Sequence, residues 1–217
     1  MQTAAMILVA TLAGSQGGDQ PASKPLFNGK DLAGWHIDCP ELDKNPNGPK
    51  PYEVRNGVLF TPGAPPAHLI SDDAFESYRL SVEYRYTERA GNNGILIHCS
   101  TPRFFANLLP KCLEVQLMSG GAGDFYTLGE EIEVPDIEKR RVPLTGRRIA
   151  NLTDNSEKPI GQWNTIIVEC RADSVIVWVN GDLVNFGYKC STRKGQIALQ
   201  CEGAPVEFRK VDLQPLG

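Results

Sequence analysis

Residues 78–86, Tyr-Arg-Leu-Ser-Val-Glu-Tyr-Arg-Tyr, alternate between apolar and polar side chains without a break. Successive side chains of a strand point to opposite faces, so Leu80, Val82, Tyr84 and Tyr86 turn toward a core while Arg79, Ser81, Glu83 and Arg85 turn toward water. Similar short runs recur along the chain. Residues 52–60 carry Asn56-Gly57 at their centre, the strongest short-range signal for a hairpin, and residues 174–179 run directly into Asn180-Gly181. Runs at 94–99, 112–118, 163–170, 196–201 and 206–213 bring the expectation to some ten to twelve short strands at the spacing of a sandwich. The 21 glycines and 16 prolines are spread throughout, which suits many turns, and no amphipathic helical window exceeds about three turns. At 217 residues the chain is long enough for one well-buried domain and not for an obvious second one.

Charge excludes one class of partner. With 22 basic and 26 acidic residues, net charge -4, the chain has no basic excess for a phosphate backbone, so nucleic acid is not expected. The apolar stretch 4–13 is too short to cross a bilayer, for which about 20 apolar residues are needed. Small residues follow it at 13–15, which fits a signal segment and an exported, periplasmic or extracellular protein, although the basic leading residues of such a segment are missing. Residues 15–25 have linker composition, so the expected division is a signal-like segment and linker over 1–25 and a single domain over 26–217. Six cysteines, with no Cys-x-x-Cys pair, argue against structural zinc; their even number fits disulfides, and free buried thiols are the other reading. Strand alternation puts Cys99 with Ile95 and Ile97 but Cys112 opposite Leu113, Val115 and Leu117, so the two cysteines are expected on opposite faces, against a direct bond.

The chemistry is concentrated between residues 91 and 119. Alternation sends Ile95 and Ile97 of one strand, and Leu113, Val115 and Leu117 of the next, to a core. His98, Glu114 and Gln116 then share the other face, and Glu83 is expected beside them. A carboxylate in a strand flanked by apolar positions asks for a partner, and a histidine exchanges protons near neutral pH. The apolar loop at 103–109 either packs over an end of the sheet or lines a ligand mouth. Residues 129–158, the most charged stretch, are expected as a surface excursion whose acidic and basic halves pair, or as a cover for the groove. Trp163 and Trp178 are read as core residues, with sugar stacking as the alternative; His36 and His68 are read as structural.

Seven motifs occur in an order that resembles one known family: residues 26–35 (Leu-Phe-Asn-Gly-Lys-Asp-Leu-Ala-Gly-Trp), 91–95 (Gly-Asn-Asn-Gly-Ile), 113–117 (Leu-Glu-Val-Gln-Leu), 161–164 (Gly-Gln-Trp-Asn), 179–181 (Val-Asn-Gly), 195–200 (Gly-Gln-Ile-Ala-Leu-Gln) and 206–216. Their order is similar to that of the DUF1080 family, the 3-keto-disaccharide hydrolase or 3-keto-glucoside lyase and hydratase domain. The resemblance implies an all-β, concanavalin A-like jelly roll, a sandwich of two antiparallel sheets with a concave sugar-binding face. It implies an enzyme on 3-keto-glycosides, acting on a small glycoside or disaccharide by hydrolysis or by elimination and hydration at C1–C2. A non-catalytic, lectin-like glycan-binding module is the alternative. On this reading Glu114 is base or metal ligand, His98 ligand or acid, and Glu83 a third catalytic group, with Gln116, Asn92, Asn93 and Gln200 binding the sugar. The cofactor is left open, a divalent metal being one option. Asn93, His98 and Ser119 depart from the family's usual Ser, Arg and Asp.

Overall fold

A computed structural model of the protein describes residues 21–144, 146–153 and 155–217. The signal-like stretch 4–13 lies outside the described residues. Two antiparallel sheets face each other. The first runs in the order β13 (Asp182–Gly187), β12 (Ser174–Val179), β11 (Asn164–Arg171), β6 (Tyr78–Tyr86), β15 (Val206–Pro215), β4 (Val58–Thr61) and β3 (Glu53–Arg55), with β1 (Lys24–Pro25) also paired to β15. The second runs β10 (Arg148–Ile149), β9 (Phe125–Leu128), β8 (Cys112–Gln116), β7 (Gly94–Cys99), β14 (Gly195–Cys201), β5 (Ala67–Phe75) and β2 (Trp35–Asp38). Among the described residues two helical turns accompany them, α1 (Pro40–Lys44) and α2 (Ile137–Arg140). This is the expected all-β jelly roll. β1, which pairs with β15, lies inside the stretch read as linker.

The alternation of β6 drives the packing. Leu80, Val82 and Tyr84, with Ile166 and Val168 of β11 and Phe208 and Val211 of β15, meet Ile95, Ile97, Leu113, Val115 and Leu199 of the other sheet, all with no accessible surface. Burying a side chain of this size stabilises by about 1.5–3 kcal/mol before entropy is counted, so this layer is what holds the sheets together. Tyr52 enters the same layer and donates its hydroxyl to Leu199 O at 2.6 Å, an acceptor that burial would otherwise strand.

The two outer faces differ. On the first sheet the outer side chains of β6 remain partly exposed, whereas β7 and β8 of the second are buried on both faces. A second apolar cluster explains this: Ile70, Leu96, Cys99, Cys112, Leu128 and Ala198 lie on the outer face of the second sheet, under Phe105, Leu109 and Tyr126. The loop at 100–111 thus packs onto the sheet face. Trp163 and Trp178 are not core residues: Trp163 lies between the guanidinium groups of Arg85 and Arg209 at 4.6 and 4.5 Å, and Trp178 lies under Arg79, all on the outer side of the first sheet.

Candidate functional site

The strand registers assemble the site in rows across the outer face of the second sheet. Glu114 stands opposite Leu96 on β7 and Tyr126 on β9. One row along, Gln116 stands opposite Gly94, and Gln200 of β14 stands opposite His68 of β5. Gly94 makes the convergence geometrically possible. A Cβ at this position would lie 2.3 Å from Glu114 Oε1 and 2.7 Å from Gln200 Oε1, so these side chains close over the space that a larger residue would fill.

A cleft of about 350 Å³ opens above this floor, within the size range of small-ligand sites. Its lining includes Glu114, Gln116, Gln200, Asn92, Glu202, Arg147 and Arg148, with Phe105, Leu109, Tyr126, Val142 and Leu144 as apolar walls. The charged excursion therefore covers the groove. Its charges mostly pair with other segments, Arg148 with Asp124 at 2.7 Å, Lys111 with Glu130 and Lys189 with Glu133; within the excursion, Lys139 meets Asp136.

Electrostatics separate the two carboxyl groups. Glu114 is almost fully buried and its Oε1 has no hydrogen-bond partner. Burial, and then the charge of Glu202, push its pKa up to about 8, so the carboxyl is mostly protonated at neutral pH. Glu202 is raised by burial too, but a hydrogen bond from Asn92 opposes the shift and favours its ionised form. Arg147 lies over the Phe105 ring at 4.0 Å, and its buried Nε has no partner. Gln200 Oε1 and Asn92 Oδ1 are likewise buried without partners, which leaves the cleft floor rich in unused hydrogen-bonding capacity.

Of the expected site residues, Glu114, Gln116, Asn92 and Gln200 come together here. His98 does not. Its backbone adopts φ 55°, which breaks the strand alternation and turns the ring to the inter-sheet side, edge-on to Tyr78 with centroids 5.9 Å apart. There burial lowers its pKa to about 4, against smaller opposing effects of the Thr192 backbone and Glu130. Gly195 permits the bulge, since a Cβ there would meet His98 C at 2.3 Å. Glu83 is on the far side of the sandwich, where Arg209 pairs with it. Asn93 is buried as a clamp between strands: its amide donates to Gln200 O at 2.9 Å and its Oδ1 accepts from Gly94 N at 3.0 Å.

The cleft residues missed by sequence reasoning are Glu202 and Arg147. Glu202 follows Gln200 at the two-residue spacing of a strand, a signal that was available once Gln200 had been placed. Arg147 comes from an irregular segment with no period to read. His68 shares the outer face, and burial holds its pKa near 4. For the optional metal, the described residues bring no three His, Cys, Asp or Glu side chains together as a binding group, so this donor set does not fit one.

Fold and cleft together define a concanavalin A-like jelly roll carrying a buried acid on one sheet face. The family model described as the 3-keto-alpha-glucoside-1,2-lyase-like domain matches residues 22–214, and the chain belongs to that family of carbohydrate-active proteins. Among solved structures, a candidate glycosyl hydrolase from Parabacteroides distasonis aligns with TM-score 0.65 and 20% identity over 90% of this chain and 94% of that one. The carbohydrate-binding module CBM66 from Bacillus subtilis aligns with TM-score 0.55 and 11% identity over 83% and 95%. The kappa-carrageenase from Pseudoalteromonas carrageenovora does so with TM-score 0.56 and 11% identity over 94% and 99%. At these identities the likeness concerns the fold. No curated protein matches the chain by sequence.

Proposed function

We propose that the protein cleaves 3-keto-glycosides by elimination across C1 and C2 of the sugar, followed by hydration. The observation that carries this reading is Glu114, a carboxyl group kept protonated near neutral pH by burial and left unpaired in the floor of the cleft. A ketone at C3 acidifies the hydrogen on C2, so the reaction needs a base at C2, an electrophile at the ketone oxygen and an acid for the departing glycosidic oxygen. Glu202 serves as the base that takes the C2 proton. Arg147 faces the ketone oxygen as negative charge develops there. The C1–C2 double bond forms as the C1–O bond breaks, and Glu114 gives its proton to the leaving oxygen. Hydration reverses these roles: the Glu114 carboxylate takes a proton from water as its oxygen adds to C1, and Glu202 returns the proton to C2. Two carboxyl groups with different environments thus divide acid and base work. Gln116, Gln200 and Asn92 present amides to sugar hydroxyls, with Phe105 and Tyr126 among the apolar walls.

The test is incubation with 3-keto-trehalose and with a 3-keto-glucoside, with and without a chelator, following released sugar. Release by the native protein, and its loss in Glu114→Gln, is the expected result. Sugar binding without turnover in both conditions would leave a lectin-like module and end the enzyme reading. A chelator-sensitive rate would assign the electrophile to a metal rather than to Arg147.

A further inference from the structure

We propose that Cys99 and Cys112 form a disulfide that ties together the base of the loop roofing the cleft. The bulge at His98 creates the pairing. Register runs regularly to Ile97 opposite Leu113, after which Ser100 N donates to Lys111 O at 3.0 Å and Lys111 N to Thr101 O at 2.9 Å. His98 and Cys99 together therefore oppose the single residue Cys112, the two-against-one count of a β-bulge. Because His98 turns inward at φ 55°, Cys99 is returned to the outer face, in the same buried cluster as Cys112. This reverses the arrangement that simple alternation predicts. The two thiols are within hydrogen-bonding reach of each other, and a disulfide spans Cα separations of about 4.4–6.8 Å.

In the structure all six cysteines are free thiols, and both members of this pair are buried. Along the ladders no other cysteine faces a cysteine: Cys170 stands opposite Tyr78 and Val175, and Cys201 opposite Ala67. Burial, and then a hydrogen bond with the Cys99 thiol, raise the Cys112 thiol well above its ordinary pKa, so exchange must precede closure of the cluster. The oxidant is a disulfide of the thiol–disulfide exchange class. The Cys112 thiolate attacks it, forming a mixed disulfide and releasing one oxidant thiol; the Cys99 thiolate then attacks the Cys112 sulfur and releases the second. The two protons of the protein thiols pass to the two released thiolates. The bond closes the segment 100–111, which carries Phe105 and Leu109 over the cleft.

Trypsin separates the partners cleanly. Cleavage after Arg89, Arg103, Lys111 and Lys139 gives peptides 90–103 and 112–139, each with one cysteine. The full chain is folded with oxidised glutathione, denatured in N-ethylmaleimide and digested without reduction. The expected product is the two peptides joined, about 2 Da lighter than their sum and free of maleimide. Maleimide on both cysteines, or either one joined to a different cysteine, would overturn the proposal. A second measurement is thermal: reductant should lower the melting temperature of the oxidised protein by roughly 5–10 °C. The Cys99→Ala/Cys112→Ala protein should melt alike with and without reductant. A native protein indifferent to reductant would also overturn the bond. Neither readout depends on sugar cleavage.

Discussion

The outer faces of the two sheets are both rich in polar side chains, yet they are built on opposite principles. On the first sheet three carboxylates of the central strands are matched: Glu83 with Arg209, Glu169 with Arg79 at 2.8 Å, and Glu207 with Arg85 at 2.7 Å, with Trp163 and Trp178 under the arginines. On the second sheet Glu114 is more deeply buried than any of these and has no cation. The first arrangement costs little, because partly exposed ions keep water and gain partners. The second costs free energy that folding must supply, since an unpaired buried polar group is unfavourable. Polar content therefore does not distinguish a site from a surface. Between these two outer faces, unmet hydrogen-bonding capacity does.

The sharpest way to break this contrast is to make the same substitution on both faces. Glu114→Gln keeps shape and removes the proton donor, and is expected to lower kcat for 3-keto-glycoside cleavage by about 10²- to 10⁴-fold, whereas Glu83→Gln should leave it within about twofold. Steady-state rates for the two variants decide the matter. Equal losses would mean that the rate reports stability and not chemistry. Next in size is Gly94→Ala. The added methyl would contact both Glu114 Oε1 and Gln200 Oε1, so a drop in kcat/KM of about 10- to 100-fold is expected, with circular dichroism showing a retained sheet.

Stability against pH sharpens the contrast further. The folded pKa of Glu114, about 8, lies above its ordinary value of 4.5, so ionisation opposes folding. Below pH 4.5 both states are protonated and the group contributes nothing. As pH rises from 4.5 through 8 the unfolded chain ionises first and stability falls, by a few kcal/mol at about 1.4 kcal/mol per pKa unit. Glu114→Gln should therefore melt higher than the native protein at pH 8–9 and converge with it toward pH 4.5. Calorimetry across this range checks the sign. His98 and His68 act at the other end: their depressed pKa values mean that stability is lost as pH falls from about 6.5 toward 4, because the unfolded imidazoles take up protons first.

The fold was legible because alternation in β6 and the Asn-Gly turns are local signals that the global packing obeys. The site was legible only in part, and the reasons are specific. Glu114 and Gln116 follow strict alternation on β8 and were placed on the right face. His98 was misplaced because one residue at positive φ inverts every side chain beyond it, and histidine carries no marker of that backbone state. Cys99 was misplaced by the same inversion. Glu83 alternates correctly, but on the sheet opposite the cleft, and which of two sheets a strand joins is a long-range fact that period two does not encode. Arg147 enters from an irregular segment whose position depends on its packing against Phe105.

The smallest expected effect tests the paired face itself. Glu83 keeps 21% side-chain exposure and Arg209 keeps 47%, so their ion pair is screened and should contribute only about 0.2–1 kcal/mol. A double-mutant cycle with Glu83→Gln and Arg209→Gln isolates that coupling from the separate packing of Arg209 on Trp163. Coupling in this range, falling further in 1 M salt, is the expected outcome of chemical denaturation. A coupling above about 2 kcal/mol, unchanged by salt, would mean that the pair behaves as a buried one. The contrast between a paired, inexpensive face and an unpaired, costly one would then have to rest on Glu114 alone.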